Sequence, residues 1–238
     1  MKKIHLILTG LSINIILLSL NRLTKLTSSY LEPFEFLRWL DFNAMLPIPL
    51  MAVLLYFLLR QQIVYDSPFK KKALFVILNI LLISGIYFFG AGSGDHEVTN
   101  YLHATFCDKQ ILNKSLCNIV VFNDDKFSHY VYYLGFILMN ISLMLLEYNL
   151  PRKKSVAVKD LFFIVPNSLF IALGIFANLA FEEIGIDLWV FASVMALAIY
   201  LLFFAKRKFS QLPVTFYFGV AYTLGVLSTF IYKFFLRS

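Results

Sequence analysis

Long apolar runs separated by short charged segments are the main pattern of this chain. An α-helix needs about 20 predominantly apolar residues to cross a hydrocarbon layer of about 30 Å. The pattern therefore predicts an all-α polytopic membrane protein with seven transmembrane helices in a single membrane domain, residues 1–238. The predicted spans are residues 4–20, 44–60, 73–91, 129–148, 161–181, 187–205 and 213–235.

Composition agrees with this pattern. The chain is 60% hydrophobic and only 15% charged, whereas soluble domains carry about 25% charged residues. A surface that faces water needs those missing charges, and a surface that faces lipid does not. Composition therefore excludes an ordinary soluble protein, although the net charge of +7 still has to be explained.

The positions of the charges explain the positive balance. When the connecting segments are assigned alternately to two sides, one side receives 13 of the 21 basic residues and 3 of the 14 acids. Basic residues near the ends of spans stay in the cytoplasm, so we expect the N-terminus inside and the C-terminus outside. The charge then indicates topology and contact with membrane lipids, and no nucleic acid partner. The basic residues of this side are Lys2, Lys3, Arg60, Lys70, Lys71, Lys72, Arg152, Lys153, Lys154, Lys159, Lys206, Arg207 and Lys208.

The first span also resembles a secretory signal peptide, because two lysines precede its apolar run. No small-x-small cleavage site follows it. We favour a retained first helix over a cleaved one. Cleavage would leave six spans and would not change the side on which the other loops lie.

The outer side is expected to carry a long loop, residues 92–128. Both cysteines, Cys107 and Cys117, fall in this loop, which favours a disulfide over free thiols because disulfides form in oxidising compartments. Residues 95–106 have the periodicity of an amphipathic helix lying in the outer interface. Mixed charges and aromatic residues predict a second interfacial helix within residues 30–42.

Polar residues inside the predicted spans can join helices or contact a substrate. Asn140, Asn167 and Asn178 are expected to form hydrogen bonds between helices rather than to contact a substrate. Glu147 lies near the predicted cytoplasmic end, close in sequence to Arg152, and is expected to extend to the membrane surface.

Three of the four histidines fall on the predicted outer side, together with most of the acids. Imidazole and carboxylate groups ligate zinc and similar divalent ions, and they also serve as general acids and bases near neutral pH. The chain has no HExxH motif, so a hydrogen-bonded cluster without metal is favoured over a site for a divalent metal such as zinc. The candidate catalytic residues are Asp95, His96, His103, Asp125, His129 and Glu182, and the candidate metal ligands are His96, His103 and His129.

The segment "NDDKFSHYVYYLG", residues 123–135, resembles a motif of the YjdF-like family of uncharacterised bacterial inner-membrane proteins. That motif reads N-x-Y-D-R-x-x-H-F-x-x-G and opens a helix. Asp125, Lys126 and His129 match it, while the spacing to Gly135 differs. Glu182 and Glu183 resemble acidic residues of a following helix in that family. The resemblance, over residues 85–135, implies a bacterial inner membrane and a polar site that includes His129.

These observations predict an outward-facing polar pocket that binds or hydrolyses a lipid-like or small amphiphilic molecule; whether it catalyses a reaction is left open. A transporter or channel for small solutes or ions is one alternative, if the polar residues of the spans join into a path. A non-catalytic assembly or sensor subunit is another, with residues 30–42 and the 92–128 loop as its partner surface.

Overall fold

A computed structural model describes residues 1–65, 72–111, 113–182 and 185–236. It is 84% helical with almost no sheet, which confirms the all-α prediction, and seven of its helices are long and apolar enough to cross a membrane. The helices are α1 (Lys2–Leu23), α2 (Trp39–Met45), α3 (Pro47–Val64), α4 (Lys72–Leu102), α5 (Lys114–Phe122), α6 (Ser128–Asn149), α7 (Val158–Ala177), α8 (Asp187–Ile199) and α9 (Pro213–Ile231). The strands are β1 (Tyr30–Leu31) and β2 (Phe34–Arg38).

Most of the predicted loop 92–128 is helical. Helix α4 continues through a π-helical turn, His103–Cys107, and a second π-helical turn, Asn123–Phe127, joins α5 to α6. The predicted helix 95–106 exists, but as the end of α4 rather than as a separate element. Charged residues end an apolar run without ending a helix, so the helices continue beyond the predicted spans. We call α4 together with α5 and α6 the long hairpin.

The predicted interfacial helix 30–42 is only partly correct. Strands β1 and β2 form an antiparallel pair whose connection is Glu32 and Pro33, and the helix begins at Trp39. Proline fixes its own backbone and disfavours helical geometry in the preceding residue, which accounts for the difference. The Arg38 guanidinium binds the Asp41 carboxylate at 2.7 and 2.8 Å, and this hydrogen bonding raises the pKa of Arg38.

Three glycines bring the two arms of the long hairpin into backbone contact. A Cβ atom on Gly135 would lie 2.2 Å from the backbone nitrogen of Phe89, and one on Gly92 would lie 2.4 Å from that of Tyr132. A Cβ on Gly85 would lie 2.9 Å from the backbone nitrogen of Met139. Small residues allow this approach in membrane helices, where packing takes over from the hydrophobic effect. The hairpin is therefore a tightly packed pair of helices.

Hydrogen bonds between side chains join the other helices, as the sequence predicts for the three asparagines. Each asparagine accepts a hydrogen bond from a hydroxyl group on another helix. These contacts favour a packing role over a transport path. The pairs are Tyr56 Oη with Asn140 Oδ1 at 3.0 Å, Ser12 Oγ with Asn167 Oδ1 at 2.8 Å, and Tyr133 Oη with Asn178 Oδ1 at 2.9 Å.

The bundle has two chemically different ends. Helix α6 has 22 residues and is therefore about 33 Å long, with His129 near its start and Glu147 near its end. We call the end with His96, His103 and His129 the histidine end. We call the end with the segments 152–154 and 206–208 the basic end.

Glu147, at the basic end, does not extend to a surface. It is only 2% exposed and accepts hydrogen bonds from the backbone nitrogens of Val214 and Thr215, at 2.9 and 2.7 Å, and from the Thr215 hydroxyl at 2.8 Å. The first N–H groups of a helix lack partners within the helix, and they attract negative charge. The surface prediction for Glu147 is therefore wrong, because its carboxylate caps α9.

Candidate functional site at the histidine end

Asp124 is the centre of the polar cluster at the histidine end. Its Oδ2 lies 2.8 Å from Nδ1 of His103, and its Oδ1 lies 3.2 Å from Nδ1 of His96. The residue is only 3% exposed. A carboxylate between two imidazoles orients both rings and favours their protonated forms electrostatically. We call Asp124, Asp125, His96, His103 and His129 the Asp124 cluster.

Local helix geometry brings these residues together. His96 and His103 are seven residues apart on α4, which is two turns and therefore nearly the same face. The opposing arm presents Asp124 from the π-helical turn Asn123–Phe127. Such turns re-aim side chains inside helices and occur frequently at functional sites. His103 likewise begins a π-helical turn, at the end of α4.

His129, the second residue of α6, completes the cluster. Its ring centroid lies 4.6 Å from that of His96, with an interplanar angle of 57°. The buried Nδ1 of His129 has no well-aligned hydrogen bond to any described residue, and the same holds for Oδ1 of Asp124 and Nδ1 of His96, despite their 3.2 Å separation. Unsatisfied buried polar atoms cost free energy. A cluster that retains several of them is suited to a ligand.

Three ligand atoms in the cluster are close enough to hold one metal ion. His103, Asp124 and Asp125 each offer a ligand atom, and these atoms lie within 4.8 Å of one another. Asp125 is exposed while Asp124 is buried, so the group is reachable from one side. Nitrogen and carboxylate oxygen ligands suit zinc and related divalent ions. Among the described residues, this is the group whose ligand atoms lie close enough together to hold a metal ion. The sequence had instead predicted His96, His103 and His129 as the ligands.

The other predicted site residues lie at different distances from this centre. Asp95 is half-buried on α4 beside His96, and its Oδ2 has no hydrogen bond to a described residue. Asp108, which was not predicted for the site, approaches His103 Nε2 at 3.5 Å. The side chain of Glu182, which the sequence also predicts for the site, lies outside the described part of the structure.

An ion pair ties α1 to the same end of the bundle. The Arg22 guanidinium binds the carboxylate of Glu97, which is buried and adjoins His96 in sequence. Arg22 therefore fixes the end of α1 against α4 and neutralises a charge beside the Asp124 cluster. Sequence analysis did not single out this pair, because nothing in the sequence links residues 75 positions apart.

The two cysteines lie at the tip of the long hairpin. Cys107 and Cys117 are within disulfide distance, with their Cα atoms 5.5 Å apart, in agreement with the sequence prediction. The bond joins the end of α4 to the first turns of α5, and both helices lead directly to the Asp124 cluster. It therefore closes the tip four residues beyond His103.

Sequence analysis missed the central role of Asp124. It placed residues 92–128 in a loop, so no helix face could be assigned to Asp124. One signal was available. Asn113 is a good helix N-cap and its side chain accepts from the Leu116 backbone at 2.9 Å, so a helix could be expected from residue 114. Continued in register, that helix places Asp124 and Ser128 one turn apart.

Comparison with protein-family models, with curated proteins and with solved structures finds no match to this chain. The resemblance to YjdF-like proteins therefore stays a prediction. Function has to be argued from the Asp124 cluster itself. Imidazole beside carboxylate can move protons, and the set His103, Asp124 and Asp125 can hold a cation that polarises a substrate oxygen.

Proposed function

We propose that this chain is an integral membrane protein, with its N-terminus in the cytoplasm, whose Asp124 cluster binds or hydrolyses a lipid-like or small amphiphilic molecule at the outer surface. The observation that carries the proposal is the buried Asp124 carboxylate between His96 and His103. We further propose that His103, Asp124 and Asp125 hold a divalent cation, zinc being the best match to this ligand set. Such a cation would polarise a phosphate or ester oxygen of the bound molecule.

The distribution of side chains supports membrane insertion. Asn140, Ser168 and Thr215 are fully buried, while large apolar side chains such as Leu6 and Phe203 are exposed on the outside of the bundle. Exposed apolar patches of this extent are rare on soluble monomers. In a bilayer they would face acyl chains, and the interior polar groups would keep their hydrogen bonds.

The lengths of the hairpin helices support a site at the headgroup level. The first arm, with its π-helical turn, has 35 residues and the second has 36, so each is about 53 Å long. A hydrocarbon core of about 30 Å accommodates little more than half of that length. With the basic end at the inner surface, the Asp124 cluster would lie at or beyond the outer headgroups, where a lipid-like molecule presents its polar part.

Orientation and cellular location rest on the charge distribution and on the resemblance. The positive-inside rule places the basic end in the cytoplasm, and the YjdF-like motif favours a bacterial inner membrane. Reporter fusions at the C-terminus test the orientation. A phosphatase active only outside the cytoplasm should be active there, and a fluorescent protein that matures only inside should stay dark. The reverse pattern would overturn the proposed orientation.

Elemental analysis of the detergent-purified protein tests the cation. We expect a near-stoichiometric divalent metal in the wild type, lost in Asp124→Asn and in His103→Ala. His5→Ala is the matched control, because His5 pairs with Asp160 at the basic end, 3.2 Å away, and should keep the metal. Absence of metal from the wild type, or equal metal in all four proteins, would contradict the cation site.

Mass spectrometry of co-purified molecules tests the amphiphile. Wild-type protein should retain a lipid-like molecule or its hydrolysis product, and His96→Ala together with His129→Ala should lose it. His5→Ala again serves as the control for removing an imidazole elsewhere. Identical co-purified molecules in all variants would count against a ligand at the Asp124 cluster, whatever the metal analysis gives.

A further inference from the structure

A cavity of about 350 Å³ lies at the basic end, far from the Asp124 cluster. Its apolar wall consists of Ile4, Ile63 and Leu150, from the start of α1, the end of α3 and the residue after α6. All three are at least nine-tenths buried. The volume is within the range of small-molecule sites, and the wall by itself would suit an acyl or glycerol moiety.

Three consecutive cations line the same cavity: Arg152, Lys153 and Lys154. Lys153 and Lys154 are exposed and Arg152 is half-buried. Within the part of the chain that the structure describes, none of the three forms an ion pair. Arg152 is still close enough to Glu147 to interact with its charge. A concave site with apolar walls, two exposed lysines and an arginine fits a ligand that is anionic at one end and apolar at the other.

The cavity wall contains a carboxylate, that of Glu147, and its negative charge does not prevent an anion from binding. Glu147 lines the cavity, but its two oxygens already accept three hydrogen bonds from Val214 and Thr215. The positive end of the α9 dipole adjoins this carboxylate and offsets its charge. The positive charge available to an anion therefore comes from Lys153 and Lys154, and from Arg152, whose charge Glu147 partly offsets.

We propose that this cavity binds the phosphate headgroup of an anionic phospholipid, with Arg152, Lys153 and Lys154 on the phosphate and Ile4, Ile63 and Leu150 against the glycerol and first acyl carbons. The site is distinct from the Asp124 cluster. Basic pockets between membrane helices bind anionic headgroups in this way. The assignment to the inner leaflet rests on the proposed orientation, whereas binding itself can be measured in detergent without it.

Titration of the full-length protein in detergent with a short-chain phosphatidylglycerol tests the site, with thermal stabilisation as the readout. Short-chain phosphatidylcholine should bind much more weakly. The triple variant Arg152→Gln, Lys153→Gln, Lys154→Gln should bind phosphatidylglycerol about a hundredfold more weakly, since each cation near an anionic headgroup contributes roughly fivefold. The metal content of this variant should be unchanged. The test of lipid binding at the cavity and the test of metal binding at the Asp124 cluster can therefore fail independently of each other.

The segment 206–208 provides a matched control. The variant Lys206→Gln, Arg207→Gln, Lys208→Gln removes the same charge at the same end from residues that do not line the cavity, and it should keep wild-type affinity. Equal weakening in both triple variants would overturn a defined site in favour of diffuse attraction. A single reversal at an exposed position, Lys153→Glu compared with Lys208→Glu, repeats the test if a triple variant fails to fold. Full reproduction of the stabilisation by inorganic phosphate would overturn the lipid assignment.

Discussion

Asp124 and Glu147 are both buried carboxylates on the second arm of the long hairpin, 3% and 2% exposed, yet their surroundings differ. Glu147 receives three hydrogen bonds from the start of one helix. Asp124 is bracketed by two imidazoles and keeps an oxygen without a well-aligned hydrogen bond to any described residue. The first arrangement is a fully hydrogen-bonded helix cap, whereas the second places a carboxylate between two side chains that can exchange protons near neutral pH. Burial alone therefore does not distinguish a structural carboxylate from a functional one, and the partner groups do.

The largest expected effect comes from the contact that holds the hairpin itself. Gly135→Ala should lower the free energy of unfolding by about 3 kcal/mol, because its Cβ would overlap the Phe89 backbone and backbone cannot move aside as a side chain can. Thermal unfolding in detergent measures this. Gly90→Ala, with nothing within 4 Å of its Cβ, is the control and should be neutral or slightly stabilising. Equal effects of the two substitutions would contradict the close packing.

Next in size is the structural carboxylate. Glu147→Ala should cost about 2 to 3 kcal/mol, because it leaves two backbone N–H groups and a hydroxyl buried without an acceptor. Glu147→Gln keeps one good acceptor and should cost less. Both variants should keep the metal content of the wild type. Loss of metal without loss of stability would reverse the roles assigned to the two carboxylates.

Removal of the disulfide should have a smaller and more local effect. Cys107→Ser with Cys117→Ser opens a loop of about ten residues. Chain entropy sets the loss at no more than about 2.7 kcal/mol, and the loss is smaller where the reduced chain keeps its local structure. Limited proteolysis should detect faster cleavage near residues 108–113, with the basic end unaffected. Unchanged cleavage, or cleavage spread over the whole chain, would disagree with a local closure of the hairpin tip.

The smallest effect on stability is expected at the functional carboxylate. Asp124→Asn should change the free energy of unfolding by about 1 kcal/mol or less, because an amide oxygen still accepts from His103 and the site already tolerates unsatisfied atoms. The same substitution should abolish metal binding. Thermal unfolding and elemental analysis on one preparation separate the two quantities. A large loss of stability would assign Asp124 to the scaffold.

The long apolar helices and part of the Asp124 cluster could be predicted from the sequence for physical reasons. Apolar runs must be about as long as the membrane is thick, so hydropathy located seven helices. Their ends were harder to place, since Asp95 to His103 continue α4 with polar residues. Asp124 was underrated because its contacts depend on pairing with the opposite arm. Glu147 was misplaced because its partners Val214 and Thr215 lie 67 and 68 positions away. Such contacts leave no local pattern in a single sequence.

The glycine contacts also limit how the two ends of the hairpin can influence each other. Asp124 and Glu147 are 23 residues apart along an almost continuous helical arm, which corresponds to about 35 Å. At Gly92 and Gly135 the backbone of this arm is in close contact with the backbone of α4. One helix therefore cannot slide along the other. The distance between the two ends of the hairpin therefore stays constant. A movement that links the Asp124 cluster to the cavity at the basic end would have to be a sideways tilt of the whole pair against α3, α8 and α9.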